Sequence, residues 1–181
     1  TPLLLRILCT KLHGFDPVLT ALSDPTAWEC EAPKAISEGG YLLIGDDALE
    51  GVARLKSKYV YDLGELWKKQ TGTPMVFALW AVRRDAIRRT EDAVYRLTEV
   101  LQASKEWGLL HPDELIRAAE QKTKLSRESL RDYFHNLRYD LSDLTRRGLE
   151  TFIRYAAELG EAPSAVKIEE FTPGLASASD N

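Results

Sequence analysis

Tyr-Leu-Leu-Ile-Gly-Asp-Asp-Ala-Leu (Tyr41 to Leu49), Tyr-Asp-Leu-Gly-Glu-Leu-Trp-Lys-Lys-Gln-Thr-Gly-Thr-Pro (Tyr61 to Pro74) and Met-Val-Phe-Ala-Leu-Trp-Ala-Val (Met75 to Val82) form the stretch on which the fold turns. Tyr41 to Ile44 and Met75 to Val82 are apolar almost without a break, too short for ordinary helices, and bounded by turn residues. Such runs predict strands buried on both faces. Between them the sequence writes a short helix. Asp62 is a suitable N-cap, and Glu65, three residues on, is placed to return a bond to the cap amide. Gly72 supplies a left-handed residue past the helix end and Pro74 blocks continuation. In open α/β sheets ligands sit where the chain leaves the carboxyl end of a strand, which directs attention to Gly45, Asp46 and Asp47.

Upstream, Thr1-Pro2 is a helix opening, with Thr as N-cap and Pro at a position where its missing N–H costs nothing. Leu3, Leu4, Ile7, Leu8 and Leu12 follow at helical spacing up to Gly14. The helix start is either a plain cap or, through its free N–H groups, a carboxylate or phosphate site. Trp28 to Ala32 alternates like a short strand, and Pro33 to Gly40 reads as a brief helix. Helix and strand thus alternate, which predicts a mostly parallel sheet and an α/β fold.

Downstream, Arg83, Arg84, Arg88 and Arg89 surround Asp85 and read as a solvated face or helix-end charge in preference to a site for an anionic ligand. Ala93, Val94, Leu97, Val100 and Leu101 share one helical stripe from Thr90 on. Further helices are predicted after Pro112, after Ser126, and after Ser142, the last with Leu149, Phe152, Ile153, Ala156 and Leu159 on one face. These helices have no sheet of their own, and a sheet from a segment before Thr1 is the expected cover. Thr172 to Asn181 is small and polar, and is expected to be a loose tail.

The 181 residues carry a net charge of −4, with 44% apolar and 29% charged residues. That is ordinary for a globular chain and lacks the concentrated positive charge of a nucleic-acid binder. Cys9 and Cys30 have no C-x-x-C spacing and read as small apolar residues rather than metal ligands. No apolar run approaches the roughly 18 residues of a membrane span. With no secretory signal in the residues present, the cytoplasm is the expected location. There is no Gly-rich phosphate loop, no G-x-S-x-G and no H-E-x-x-H, and His13, His111 and His135 fall near predicted helix ends. Asp46-Asp47 is the better candidate. Either the pair positions a substrate or ion, or Asp47 caps a helix beginning at Ala48 and Asp46 stays solvated.

The quoted motifs, with the Asn-Leu-Arg-Tyr-Asp-Leu of Asn136 to Leu141, resemble the MqnA/MqnD family of the futalosine route to menaquinone, more closely its chorismate dehydratase branch. The resemblance runs from Thr1 to about Phe171. It implies a two-lobed type II periplasmic-binding-protein-like fold with a ligand cleft. Residues 1–74 would then be most of the second lobe, and residues 75–171 the return strand and helices of the first. Residues 172–181 are the tail, and the opening strands of the first lobe would precede Thr1.

In the sister lyases, which act on cyclic dehypoxanthine futalosine, a His proposed as base stands where this chain has Gly45. The resemblance therefore implies loss of water from chorismate, with no cofactor and no metal. The implied partner is this small dicarboxylate, not nucleic acid or membrane. Thr1, Gly45 and Asp46 would lie on the cleft wall, and Phe77 and Trp80 on it, beneath it, or in the core. The family's substrate-contacting Ser and Asn would fall before Thr1, so no catalytic residue is assigned within the chain. A non-catalytic solute-binding protein of the same fold and the sister lyase are the alternatives. Oligomeric state is not legible.

Overall fold

Aspartate, serine and proline punctuate the chain into helices where the pattern requires, and a computed structural model describes residues 1–22, 39–54 and 59–171. The helix α1 (Pro2–Ile7) runs directly into a π-helical turn (Leu8–Leu12) in which the Cys9 carbonyl accepts from the N–H groups of His13 and Phe15. Then follow α2 (Asp46–Arg54), α3 (Leu63–Thr71), α4 (Arg84–Leu110), α5 (Pro112–Glu120), α6 (Arg127–Asn136) and α7 (Asp143–Glu158).

Among the described residues there is no β-strand, so the expected α/β, two-lobed periplasmic-binding-protein-like fold is not what this chain adopts. The described residues are helices joined by extended segments. Tyr41 to Ile44 and Met75 to Val82 are non-helical as expected, but neither enters a ladder. An apolar run sets which surface a segment would bury. A strand exists only when a neighbour takes its N–H and C=O groups. Among the described residues neither run is paired as a strand, and Phe77 and Trp80 stand 67% and 86% exposed instead of buried on two faces. The strand expected at Trp28 to Ala32, the helix from Pro33 (apart from Gly39 and Gly40), and the tail from Thr172 lie outside the described residues.

One core draws on three helices. Leu4, Ile7 and Leu8 project from α1 and its π-turn, Trp67 from α3 and Ala156 from α7, with Met75, Phe152, Tyr155 and Leu159 packed around them. Trp67 is the centre, wholly buried and edge-on to the rings of Phe152 at 6.0 Å and Tyr155 at 6.1 Å. Full burial of each aliphatic side chain contributes about 1.5–3 kcal/mol, and edge-to-face ring pairs add about 0.5–1.5 kcal/mol each. Charged groups close the rim: Arg6 meets Asp16 at 3.0 Å and Glu161 at 2.7 Å, and Lys11 meets Glu158 at 2.8 Å.

The α3 helix forms as its ends dictate. Asp62 accepts from the amides of Gly64 at 2.7 Å and Glu65 at 2.9 Å, and Gly72 turns the chain at φ 71°. The cap is a single aspartate, because among the described residues no return bond runs from Glu65 to the Asp62 amide. After the turn, Thr73 is buried with its hydroxyl 2.9 Å from that of Thr71, which itself donates to the Trp67 carbonyl. This knot aims the chain from α3 toward α7.

A second cluster lies at the end of α4. Gly108 admits Leu115 against the helix backbone, and Ile116 and Leu130 bury the facing sides of α5 and α6. Arg127 ties the pair by reaching Asp113 at 3.1 Å and Glu120 at 3.0 Å. The α4 helix begins at Arg84, six positions ahead of the Thr90 start expected from periodicity, and it bends at Thr90 (φ −144°, ψ 48°). Part of its apolar stripe stays in solvent, with Leu97 57% and Val100 64% exposed.

Candidate functional site

Gly45 is the residue whose backbone defines its surroundings. At φ 62° it occupies the left-handed region that glycine enters without a Cβ penalty, and its carbonyl accepts from Ala48 N at 3.1 Å and Leu49 N at 3.2 Å. Gly45 is therefore the residue from which α2 starts. The helix begins at Asp46, so Asp47 sits inside the first turn rather than capping a helix from Ala48. Both carboxylates lie in the first turn, where they complement the positive end of the helix dipole, and both are exposed.

Thr1 precedes α1 as its N-cap position, with Pro2 next, as the sequence predicts. Its carbonyl accepts from Leu5 N at 3.1 Å, while its side chain makes no capping bond. Phe77 lies along the start of α3, its ring tip 3.0 Å from where a β-carbon on Gly64 would stand. Trp80 projects from the same extended segment into solvent. No hydrogen bond, ion pair or ring contact joins any two of Thr1, Gly45, Asp46, Phe77 and Trp80. The principal packings join α1 to α7, α3 to the π-turn, α4 to α5, and α5 to α6.

A shallow groove on α7 is lined by Ile153, Arg154, Ala157 and Glu158 together with Ser164 and Val166, and includes none of the five residues above. Arg154 is already engaged there, over the Tyr155 ring at 4.5 Å and paired with Glu158 at 3.3 Å.

The basic cluster at the start of α4 is largely paired. Asp85 holds Arg83 and Arg89, each at 2.9 Å, and Arg84 meets Glu169 at 2.6 Å. Through Arg84 the segment after α7 is bound down, and the pairing of Arg146 with Glu170 and the edge contact of Tyr95 with Phe171 fasten it further. The Arg84 guanidinium holds the Glu169 carboxyl below the usual range, and the Lys11 ammonium does the same for Glu158. Hydrogen bonding to Asp16 raises Arg6 further above its already high value.

The histidines behave as helix-end residues. His111 stacks on Trp107 at 4.5 Å, and its Nδ1 lies 2.7 Å from the Trp107 carbonyl, so that nitrogen is the donor. Cys9 is buried in the π-turn, and burial, with Asp16 adding to it, pushes its thiol pKa up, away from nucleophilic reactivity. Among the described residues no group of three or more His, Cys, Asp or Glu could hold a metal ion, and no helix is long and apolar enough to cross a membrane.

Trp67, Gly64 and Gly148 are the residues that sequence reasoning left unmarked. The signal for Trp67 was present, because Leu63, Leu66 and Trp67 share a helical face with α1 as their natural cover.

The profile of a family described as "Menaquinone biosynthesis" matches residues 1–158, and the chain belongs to that family. Among curated proteins it is similar to the chorismate dehydratase of Thermus thermophilus, at 30% identity over 128 residues, covering 62% of this chain and 45% of that relative. The chain thus matches less than half the length of that relative.

Proposed function

We propose that the protein is a chorismate dehydratase, a hydro-lyase that converts chorismate to 3-[(1-carboxyvinyl)oxy]benzoate in the futalosine route to menaquinone, acting in the cytoplasm. The observation that carries this reading is the 30% identity to the Thermus thermophilus chorismate dehydratase, which falls in a chain whose residues 1–158 match the menaquinone biosynthesis family. Gly45 supports it over the sister lyase. A residue without a side chain supplies no imidazole base at that position, and its left-handed backbone is one that glycine adopts most readily.

The reaction balances without an oxidant or reductant. One ring C–H bond gives its proton to a base, the ring C–O bond breaks, the hydroxyl leaves as water, and the electrons left behind complete the aromatic ring. Aromatisation supplies the driving force. The enzyme's task is to hold a dicarboxylate, assist proton removal and stabilise the departing hydroxyl. The free N–H groups at the start of α1, beside Thr1, suit a substrate carboxylate. Asp46 is an acceptor and carries negative charge, so its place is at a substrate hydroxyl rather than a carboxylate. Gly45 lets the ring approach the backbone, and Phe77 and Trp80 offer it apolar cover.

Incubation of the protein with chorismate, followed by chromatography and mass spectrometry, tests the proposal. Appearance of the aromatic product with loss of water supports it. Binding of chorismate without product would replace it with a solute-binding role, and neither binding nor product would direct the search to the sister lyase's substrate.

A further inference from the structure

We draw no further inference here: the strongest candidate, the exposed apolar run from Phe77 to Val82 between α3 and α4, is an unpartnered apolar face, and nothing among the described residues shows what covers it.

Discussion

Gly148 of α7 abuts the backbone carbonyl of Pro74, so closely that a β-carbon on Gly148 would overlap the carbonyl oxygen and stand 3.2 Å from the Thr73 hydroxyl. The contact is backbone against backbone, and Thr73 is itself buried and bonded to Thr71. Neither side can move without disturbing the turn that ends α3.

Gly148→Ala is therefore expected to destabilise the protein by about 1–3 kcal/mol through overpacking, although alanine is intrinsically the better helix former by about 1 kcal/mol. Gly64→Ala is the control. Its β-carbon meets only side-chain atoms, the tip of the mostly exposed Phe77 ring at 3.0 Å and the Asp62 carboxylate oxygen at 3.2 Å. The expected change is within about 1 kcal/mol of zero. Urea denaturation followed by circular dichroism separates the two, and equal effects would remove the distinction between rigid and yielding neighbours.

Trp67→Ala should cost about 3–5 kcal/mol, since it empties the centre of the core beside Phe152 and Tyr155. Trp67→Phe should cost less than half as much. A phenyl ring keeps the edge-on packing, and the buried Trp67 Nε1, which has no hydrogen-bond partner among the described residues, is removed with the indole. A Trp67→Phe variant as unstable as Trp67→Ala would contradict this account.

The acid limb of stability should depend on Glu158 and Glu169. Lys11 and Arg84 lower these carboxyls from the ordinary 4.5, so each binds its proton less readily in the folded chain than in the unfolded one. Their contribution is present above pH 4.5 and is lost as the pH falls through the lower folded values. Glu158→Gln and Glu169→Gln should flatten the fall of melting temperature below pH 4.5 relative to the parent. Because both groups face solvent, added salt should shrink the difference. A parent and double variant with superimposable acid limbs would refute the pairing.

At the proposed site, Gly45→Val should lower chorismate turnover by about 10²-fold, through a displaced α2 start. A β-branched residue at φ 62° is also strained, by about 1–3 kcal/mol. Asp46→Asn, which leaves the backbone alone, should reduce kcat with little loss of stability. If it turns over chorismate at the parent rate, Asp46 does not contact the reacting ring.

Much of the local structure was legible because it is written in one or two residues. Thr1-Pro2, Asp62, Gly72, Pro112, Ser126 and Ser142 mark helix ends where the structure has them. Membership of the menaquinone family was legible from the Asp-Leu-Gly-Glu and Phe-Ala-Leu-Trp motifs, and the family profile bears it out. Tyr41 to Ile44 and Met75 to Val82 were misread as strands for a physical reason. Hydrophobic periodicity describes what a segment wants to bury, whereas a strand requires a hydrogen-bonding neighbour that no local pattern specifies. The early start of α2 was missed because a left-handed Gly45 substitutes for a side-chain cap. Gly148 was missed because its meaning lies in Pro74, distant in sequence. Of the candidate site, the sequence proposes residues, and their mutual geometry is written in no local pattern.

The ion pair of Arg6 with Glu161 spans 155 positions, and the apolar residues of α1 find part of their cover on α3 and the rest on α7. On a ribosome, then, Leu4, Ile7 and Leu8 emerge long before Phe152, Tyr155 and Ala156 exist to receive them. The α5–α6 hairpin, whose contacts are local, is able to close first. Chains stalled before Asp143 should show stronger protease protection around Ile116 and Leu130 than around Leu4, which then has α3 but not α7 to pack on. In the interval, the face that α1 later turns to α7 is an apolar surface awaiting its partner.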